Sequence, residues 1–343
     1  MVKVIITGGL GFIGSNFILK LLSLKNFMVL NIDNLSYSSN IDVNKLFKKY
    51  PNYIHKKNSI GDPALRSVIK KFCPDYIINF AAESHVDKSI DGPLFFFQNN
   101  VNDLVSFIEN IRKSNTSVKK FIHISTDEVY GDLKITDKSF TEDSPLSPNS
   151  PYASSKACGD NIIRSWHKTY GMPMIITHCT NNYGPNQFPE KLIPLVINKA
   201  LRKERIPIYG AGKNIRDWIH VSDHNNAVIK VMRKGIVGNI YNISAKCELS
   251  NIDIVKKICN ILTYYHKDFN YFDLIEYVND RPSHDFRYSL ENKKIVKELG
   301  WKPLIKFEKG IKDTVKWYVD NQKWVEKIIR KNSNILHRQG LKI

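Results

Sequence analysis

With 343 residues, 42% of them hydrophobic and 24% charged, the chain is long enough for one large or two ordinary globular domains with a substantial core. Its five cysteines (Cys73, Cys158, Cys179, Cys247 and Cys259) are scattered, odd in number and never spaced C-x-x-C. That argues against a disulfide framework and a zinc site, and no metal is expected. Lys and Arg total 51 against 33 Asp and Glu, a net charge of +18, but the basic residues are spread along the chain without an RNA-reading motif. No stretch approaches the roughly 18 apolar residues of a membrane span, so neither nucleic acid nor membrane is an expected partner.

The first residues, MVKVIITGG, run directly into a strand pattern without a charged leader and cleavage site, and a cytoplasmic protein is expected. Short apolar runs then alternate with helix-length segments: VKVIIT, FMVLNID, PNYIHKKN, PDYIINFAA, KKFIHIST and PMIITHC. Runs of this length, rich in Val, Ile, Tyr and Phe and separated by amphipathic stretches, predict buried parallel strands joined by crossovers. The expected fold is α/β, a doubly wound parallel sheet.

Between the first strand and its helix stands ITGGLGFIGSN, in which Gly9, Gly11 and Gly14 fit G-x-G-x-x-G, and Gly8, Gly11 and Gly14 fit a related three-residue spacing. Glycines there let the backbone turn tightly and approach a pyrophosphate, which the helix N-terminus then receives. Asp33 follows at the end of the second strand, where a carboxylate accepts hydrogen bonds from ribose hydroxyls. An acid there disfavours a ribose phosphate, so NAD is preferred to NADP.

The fifth run ends in STDEVYGD, with Asp127 and Glu128 adjacent at the carboxyl end of a buried strand, where open α/β sheets bind their ligands. SPYASSKA follows, with Tyr152 and Lys156 four apart and therefore on one helical face. An ammonium near that phenol favours the phenolate, bringing it within reach of base chemistry near neutrality. Past Asn182 the pattern becomes irregular and closes with helices near Ile252 to Leu262 and Ile311 to Val325; KNSNILHRQGLKI ends the chain as a basic tail. His123 and His220 sit in strand-like settings and read as packed core residues.

These motifs, with NIDNLSYSSN, AAESHVDKSI, NNYGPNQFPEKLIPL, IPIYGAGKNIRDW and DRPSHDFRY, resemble the extended short-chain dehydrogenase/reductase family and within it the nucleotide-sugar 4,6-dehydratases, across nearly the whole chain. The resemblance implies a Rossmann-type NAD-binding domain over 1–182, completed by a segment near 218–243, a nucleotide-sugar-binding domain over 183–330, a tail over 331–343, and a homodimer. Helices over Pro93 to Lys113 and Ala153 to Tyr170 would form its interface; their apolar residues alternatively pack on the parent sheet.

It further implies the dehydration of dTDP-glucose to the 4-keto-6-deoxy sugar, for deoxysugars such as rhamnose. UDP-glucose stays open as substrate, because one methyl group is worth only about 1–3 kcal/mol in a pocket. A 4-epimerase shares the loop, Tyr152 and Lys156 but needs no acid pair. By the same resemblance Thr126 would hold the sugar's O4, Tyr152 take its proton beside Lys156, Glu128 remove the C5 proton and Asp127 protonate the departing C6 hydroxyl. NAD would lie against Gly8, Gly11, Phe12, Ile13, Gly14, Asp33, Asn34, Ser36, Ser59, Ile60, Ala81, Ala82, Asn99 and Asn182, besides Tyr152 and Lys156.

The sugar nucleotide would meet Ser84, His85, Thr126, Asn181, Glu190, Lys191, Leu192, Pro207, Tyr209, Arg216, Asn251, Arg281 and His284, the arginines pairing phosphate oxygens in a fork. Three positions depart from the family's habit. Ser59 stands for an adenine-contacting Asp, Asn34 for a Lys, and Asn99 for a Thr.

Overall fold

A computed structural model describes residues 1–265 and 267–331; the expected tail lies, but for Lys331, outside the described residues. The six apolar runs form β1 (Val2–Thr7), β2 (Phe27–Asp33), β3 (Tyr53–Lys57), β4 (Tyr76–Asn79), β5 (Lys120–Thr126) and β6 (Met174–Cys179). Shorter strands follow: β7 (Asn181–Tyr183), β8 (Ile206–Tyr209), β9 (Ile215–His220), β10 (Ile240–Ile243), β11 (Glu248–Ser250) and β12 (Ile275–Val278).

The main sheet has the order β10-β6-β5-β4-β1-β2-β3, with every neighbouring pair parallel. Apart from the edge strand β3, which is largely exposed past Tyr53, its strands are buried on both faces, and alternation divides their side chains between two cores. Val4, Ile6, Ile78 and Ile122 enter one core, Ile5, Ile77, Phe121 and Ile176 the other. The strand order reverses between β1 and β4, and a crevice opens there at the carboxyl ends.

The remaining strands make two small sheets, β11-β9-β7 and β12-β8. These pack with the helices Leu192–Leu201, Asn251–Tyr265 and Phe307–Asp320 around a separate core that includes Ile197, Trp218, Ile258 and Tyr318. β7 begins two residues after β6 ends, so the chain enters the second core directly from the mouth of the crevice.

The segment expected as one amphipathic helix over Pro93 to Lys113 is divided. Helices Pro93–Phe97 and Asp103–Lys113 flank a π-helical segment, Gln98–Asn102. The wider turn seats Asn100 inward: its Oδ1 accepts from the Glu83 N–H at 2.9 Å, and its Nδ2 donates to the Glu83 carbonyl at 3.0 Å and to Ser155 Oγ at 2.9 Å. One buried amide thereby ties the loop after β4 to the helix Pro151–Tyr170.

Candidate active site

A cleft of about 300 Å³ runs across the carboxyl ends of the main sheet. The helix Phe12–Ser23 opens onto it at Gly11, with no side chain capping its first turn, so the N–H groups there face the cleft. The glycines are sterically required. A Cβ on Gly14 would lie 2.5 Å from the Gly8 carbonyl oxygen, and one on Gly8, at φ +64°, would lie 2.7 Å from the backbone of Ala81. Asp33 closes the far side: Oδ2 accepts from the Leu10 N–H at 2.9 Å, and Oδ1 from the Leu35 N–H and Ser39 Oγ, each at 2.9 Å.

Every residue expected to touch NAD lines this cleft, from Gly8 through Asn34, Ser36, Ile60, Ala82 and Asn99 to Asn182. Asn182 Oδ1 is buried and has no hydrogen-bond partner among the described residues, so a polar acceptor remains available to a ligand. Ser59 donates to Asp103 Oδ2 at 2.8 Å. A carboxylate is thus brought beside the serine from the helix Asp103–Lys113, a pairing that 44 residues of separation hide from the sequence.

Thr126, Asp127 and Glu128 stand at the cleft where β5 ends. Thr126 Oγ1 donates to Asp127 Oδ1 at 3.1 Å and accepts the Glu128 N–H at 3.3 Å. Burial, and then the neighbouring Glu128 charge, hold Asp127 well above the usual carboxylate range. Burial raises Glu128 as well, but Arg281, Arg216 and Lys191 face it and oppose that rise. The two adjacent acids therefore differ in degree: burial raises both, Asp127 the more strongly, and more positive charge opposes the rise at Glu128. Asp127 keeps its proton more readily, and Glu128 is the one whose charge is supported.

Tyr152 lies on the helix Pro151–Tyr170, 8% exposed, with the Phe96 ring edge-on at 6.4 Å. Burial and then the Glu128 charge hold its phenol well above 10, while the Thr126 hydroxyl works in the opposite direction. Spacing alone suggested that Lys156 depresses this phenol. Instead Lys156 Nζ donates to the Ile124 carbonyl at 2.8 Å and meets His123 Nε2 at 3.3 Å, while burial pushes the ammonium down to about 8. His123 is buried as expected, but it lies against the site rather than only filling the core.

Ser84, Asn181, Glu190 and Lys191 also line the cleft; His85, Leu192, Pro207, Tyr209, Arg216, Asn251, Arg281 and His284 do not. Several of these gather beyond Glu128 instead. Tyr209 donates to Asp87 at 2.6 Å, Arg281 donates to the same carboxylate at 2.9 Å, and His284 meets the Tyr209 ring edge-on at 6.1 Å. Arg216 spends its guanidinium on the Ile215, Asp285 and Phe286 carbonyls and lies over the Tyr288 ring at 4.2 Å. His85 caps the helix Val86–Asp91, while Leu192 and Asn251 open helices in the second core region.

Two residues that connect these parts are not among the expected site residues, although both fall within segments that carry the resemblance, AAESHVDKSI and NIDNLSYSSN. Asp87 collects Tyr209 and Arg281. Tyr37, in the loop after β2, donates to Glu190 at 2.7 Å across 153 residues and lies under Lys88 at 3.5 Å.

A family model described as GDP-mannose 4,6 dehydratase matches residues 5–314. The dTDP-glucose 4,6-dehydratase of Xanthomonas campestris pv. campestris (strain B100) is 45% identical over 95% of this chain and 95% of its own length. That of Escherichia coli is 41% identical over 95% and 96%. The chain belongs to the nucleotide-sugar 4,6-dehydratases.

Among solved structures, the dTDP-glucose 4,6-dehydratase of Bacillus anthracis, in complex with NAD, superposes with a TM-score of 0.86 at 42% identity, covering 96% of this chain and all of that one. The Streptomyces venezuelae enzyme, also with NAD, gives 0.90 at 38% identity over 95% of this chain and all of its own. For a 4,6-dehydratase the unequal acid pair is the informative feature, because elimination needs a proton donor beside a proton acceptor.

Proposed function

We propose that the chain dehydrates dTDP-glucose to dTDP-4-keto-6-deoxyglucose with NAD, and that Thr126, Asp127, Glu128, Tyr152 and Lys156 carry the chemistry. The single observation that carries this reading is the asymmetry of Asp127 and Glu128 at one end of the cleft. Gly8, Gly11, Gly14 and the open helix end at Phe12 and Ile13 would hold the NAD pyrophosphate, with Asp33 at the ribose. NAD, when bound, supplies a hydride acceptor for C4 and a donor for C6, so it is regenerated in each turnover.

In this reading Thr126 holds O4 and Tyr152 takes the O4 proton. The C4 ketone acidifies C5, Glu128 takes the C5 proton, and Asp127, as the carboxylic acid, gives its own to the departing C6 hydroxyl. Arg216 and Arg281, beside Glu128, supply positive charge on the side where the diphosphate would lie. The dTDP-sugar is favoured over UDP by the names of the relatives above. Purified protein incubated with dTDP-glucose is expected to give the 4-keto-6-deoxy product and UDP-glucose little. Formation of only the C4 epimer would reject the dehydratase reading.

The same reading includes a homodimer in the cytoplasm. Of the apolar residues at the start of the segment expected at its interface, Phe96 turns inward to Tyr152, while Leu94 and Phe95 stand 85% and 55% exposed. A second copy is the occupant that such a patch on the helix pair invites. Light scattering at micromolar concentration is expected to give the mass of two chains, and Phe95→Glu to lower it; a monomeric wild type would reject the dimer. Among the described residues no helix is long and apolar enough to cross a membrane.

A further inference from the structure

A carboxylate outside the reaction scheme lies one helical turn beyond Lys156. Asp160, on the helix Pro151–Tyr170, is 1% exposed. Its Oδ2 accepts from Ser125 Oγ at 3.0 Å and faces His178 Nε2 at 3.0 Å. An imidazole nitrogen that close to a carboxylate oxygen carries a proton, and the other ring nitrogen, Nδ1, lies 2.7 Å from the Tyr130 hydroxyl, which donates to Asn242 Oδ1 at 3.2 Å.

The other oxygen, Oδ1, has no hydrogen-bond partner among the described residues. His123 Nε2 lies 3.9 Å from it, the same nitrogen that meets Lys156 Nζ at 3.3 Å. The His123 ring nitrogen therefore stands between an ammonium and a carboxylate, both buried. Among the described residues no Lys or Arg pairs directly with Asp160, whose polar neighbours are the Ser125 hydroxyl and the His178 and His123 rings.

We propose that Asp160 is a positioning residue: acting across His123, its carboxylate keeps the Lys156 ammonium charged and fixed beneath the cleft. The proposal rests on the reading of Lys156 as the cation that serves Tyr152. The groups facing Asp160 are His123 and Ser125 from β5, His178 from β6, Tyr130 behind His178, and Lys156 from its own helix. Arg164 and Glu142 line a second cavity, of about 410 Å³, that also reaches Asp160. Burial lowers the Lys156 ammonium to about 8, and the Asp160 charge is the largest influence opposing that fall, with the Cys179 thiol on β6 next.

The sign follows directly. Removing the anion lets Lys156 lose its proton at lower pH, so the alkaline limb of the oxidation step moves down. A neutral amide can still accept from Ser125 and His178, and Asp160→Asn therefore tests charge more than packing. The pH dependence of kcat/KM and of the reduced-nicotinamide transient is measured for wild type, Asp160→Asn and His123→Asn.

Both variants are expected to bring the alkaline limb down, Asp160→Asn by about one pH unit. A folded Asp160→Asn enzyme whose limb coincides with wild type overturns the proposal. If circular dichroism shows that Asp160→Asn does not fold, an unmoved limb in His123→Asn overturns it instead. A wild type that forms no dehydration product removes this proposal and the functional reading together, whereas an active enzyme with unmoved limbs removes only the role of Asp160.

Discussion

Tyr152→Phe is expected to slow C4 oxidation by at least about 10²-fold, the scale of losing a general base, or about 2.7 kcal/mol of barrier. The substitution deletes one hydroxyl and keeps the ring, so the edge contact with Phe96 and the burial of the site survive. What disappears is the acceptor for the O4 proton beside Thr126. The measurement is a single-turnover trace of reduced-nicotinamide absorbance with dTDP-glucose. A trace that rises at the wild-type rate would show that Thr126, Glu128 or water takes this proton, and the assignment to Tyr152 would fall.

Asp127→Asn and Glu128→Gln are expected to stop the reaction at different places. Asparagine resembles the protonated carboxyl in shape and can keep the Thr126 contact at its Oδ1 position, but it has no acidic proton to give. This variant should oxidise C4, exchange the C5 hydrogen with heavy water, and lose the C6 hydroxyl at least about 10²-fold more slowly. Glutamine at 128 removes the base. That variant should accumulate reduced cofactor yet take little deuterium into C5.

The pH dependence has two signs. Asp127 works protonated and is held well above the ordinary range by burial, so water loss fails as pH rises through its pKa. Glu128 works charged, so proton abstraction fails as pH falls through its own. Normal C5 exchange in Glu128→Gln would move the base elsewhere, and normal water loss in Asp127→Asn would move the acid.

The nucleotide half was legible in the sequence because its determinants are local. A glycine turn between a strand and a helix, an acid at the next strand end, and a Tyr and Lys one helical turn apart are all set by backbone periodicity. The acid pair was legible as a pair for the same reason, since the end of a buried parallel strand must emerge at the crevice. The break of the Pro93 to Lys113 segment was not, because the π turn is stabilised by Asn100 bonding to Glu83 and Ser155, residues 17 and 55 positions away.

Residue order and spacing by themselves determined the strand series, the phosphate loop, the position of Thr126 to Glu128 and the shared face of Tyr152 and Lys156. Only the tertiary structure decided how those groups hold their protons. Arg216, Arg281 and Lys191 reach Glu128 from the second half of the chain and support its charge, while Asp127, one residue away, is closed off from water. Lys156 turns to Ile124 and His123 rather than to Tyr152. Proton affinity depends on burial and on the field of charges brought together from distant sequence, and no local pattern encodes either.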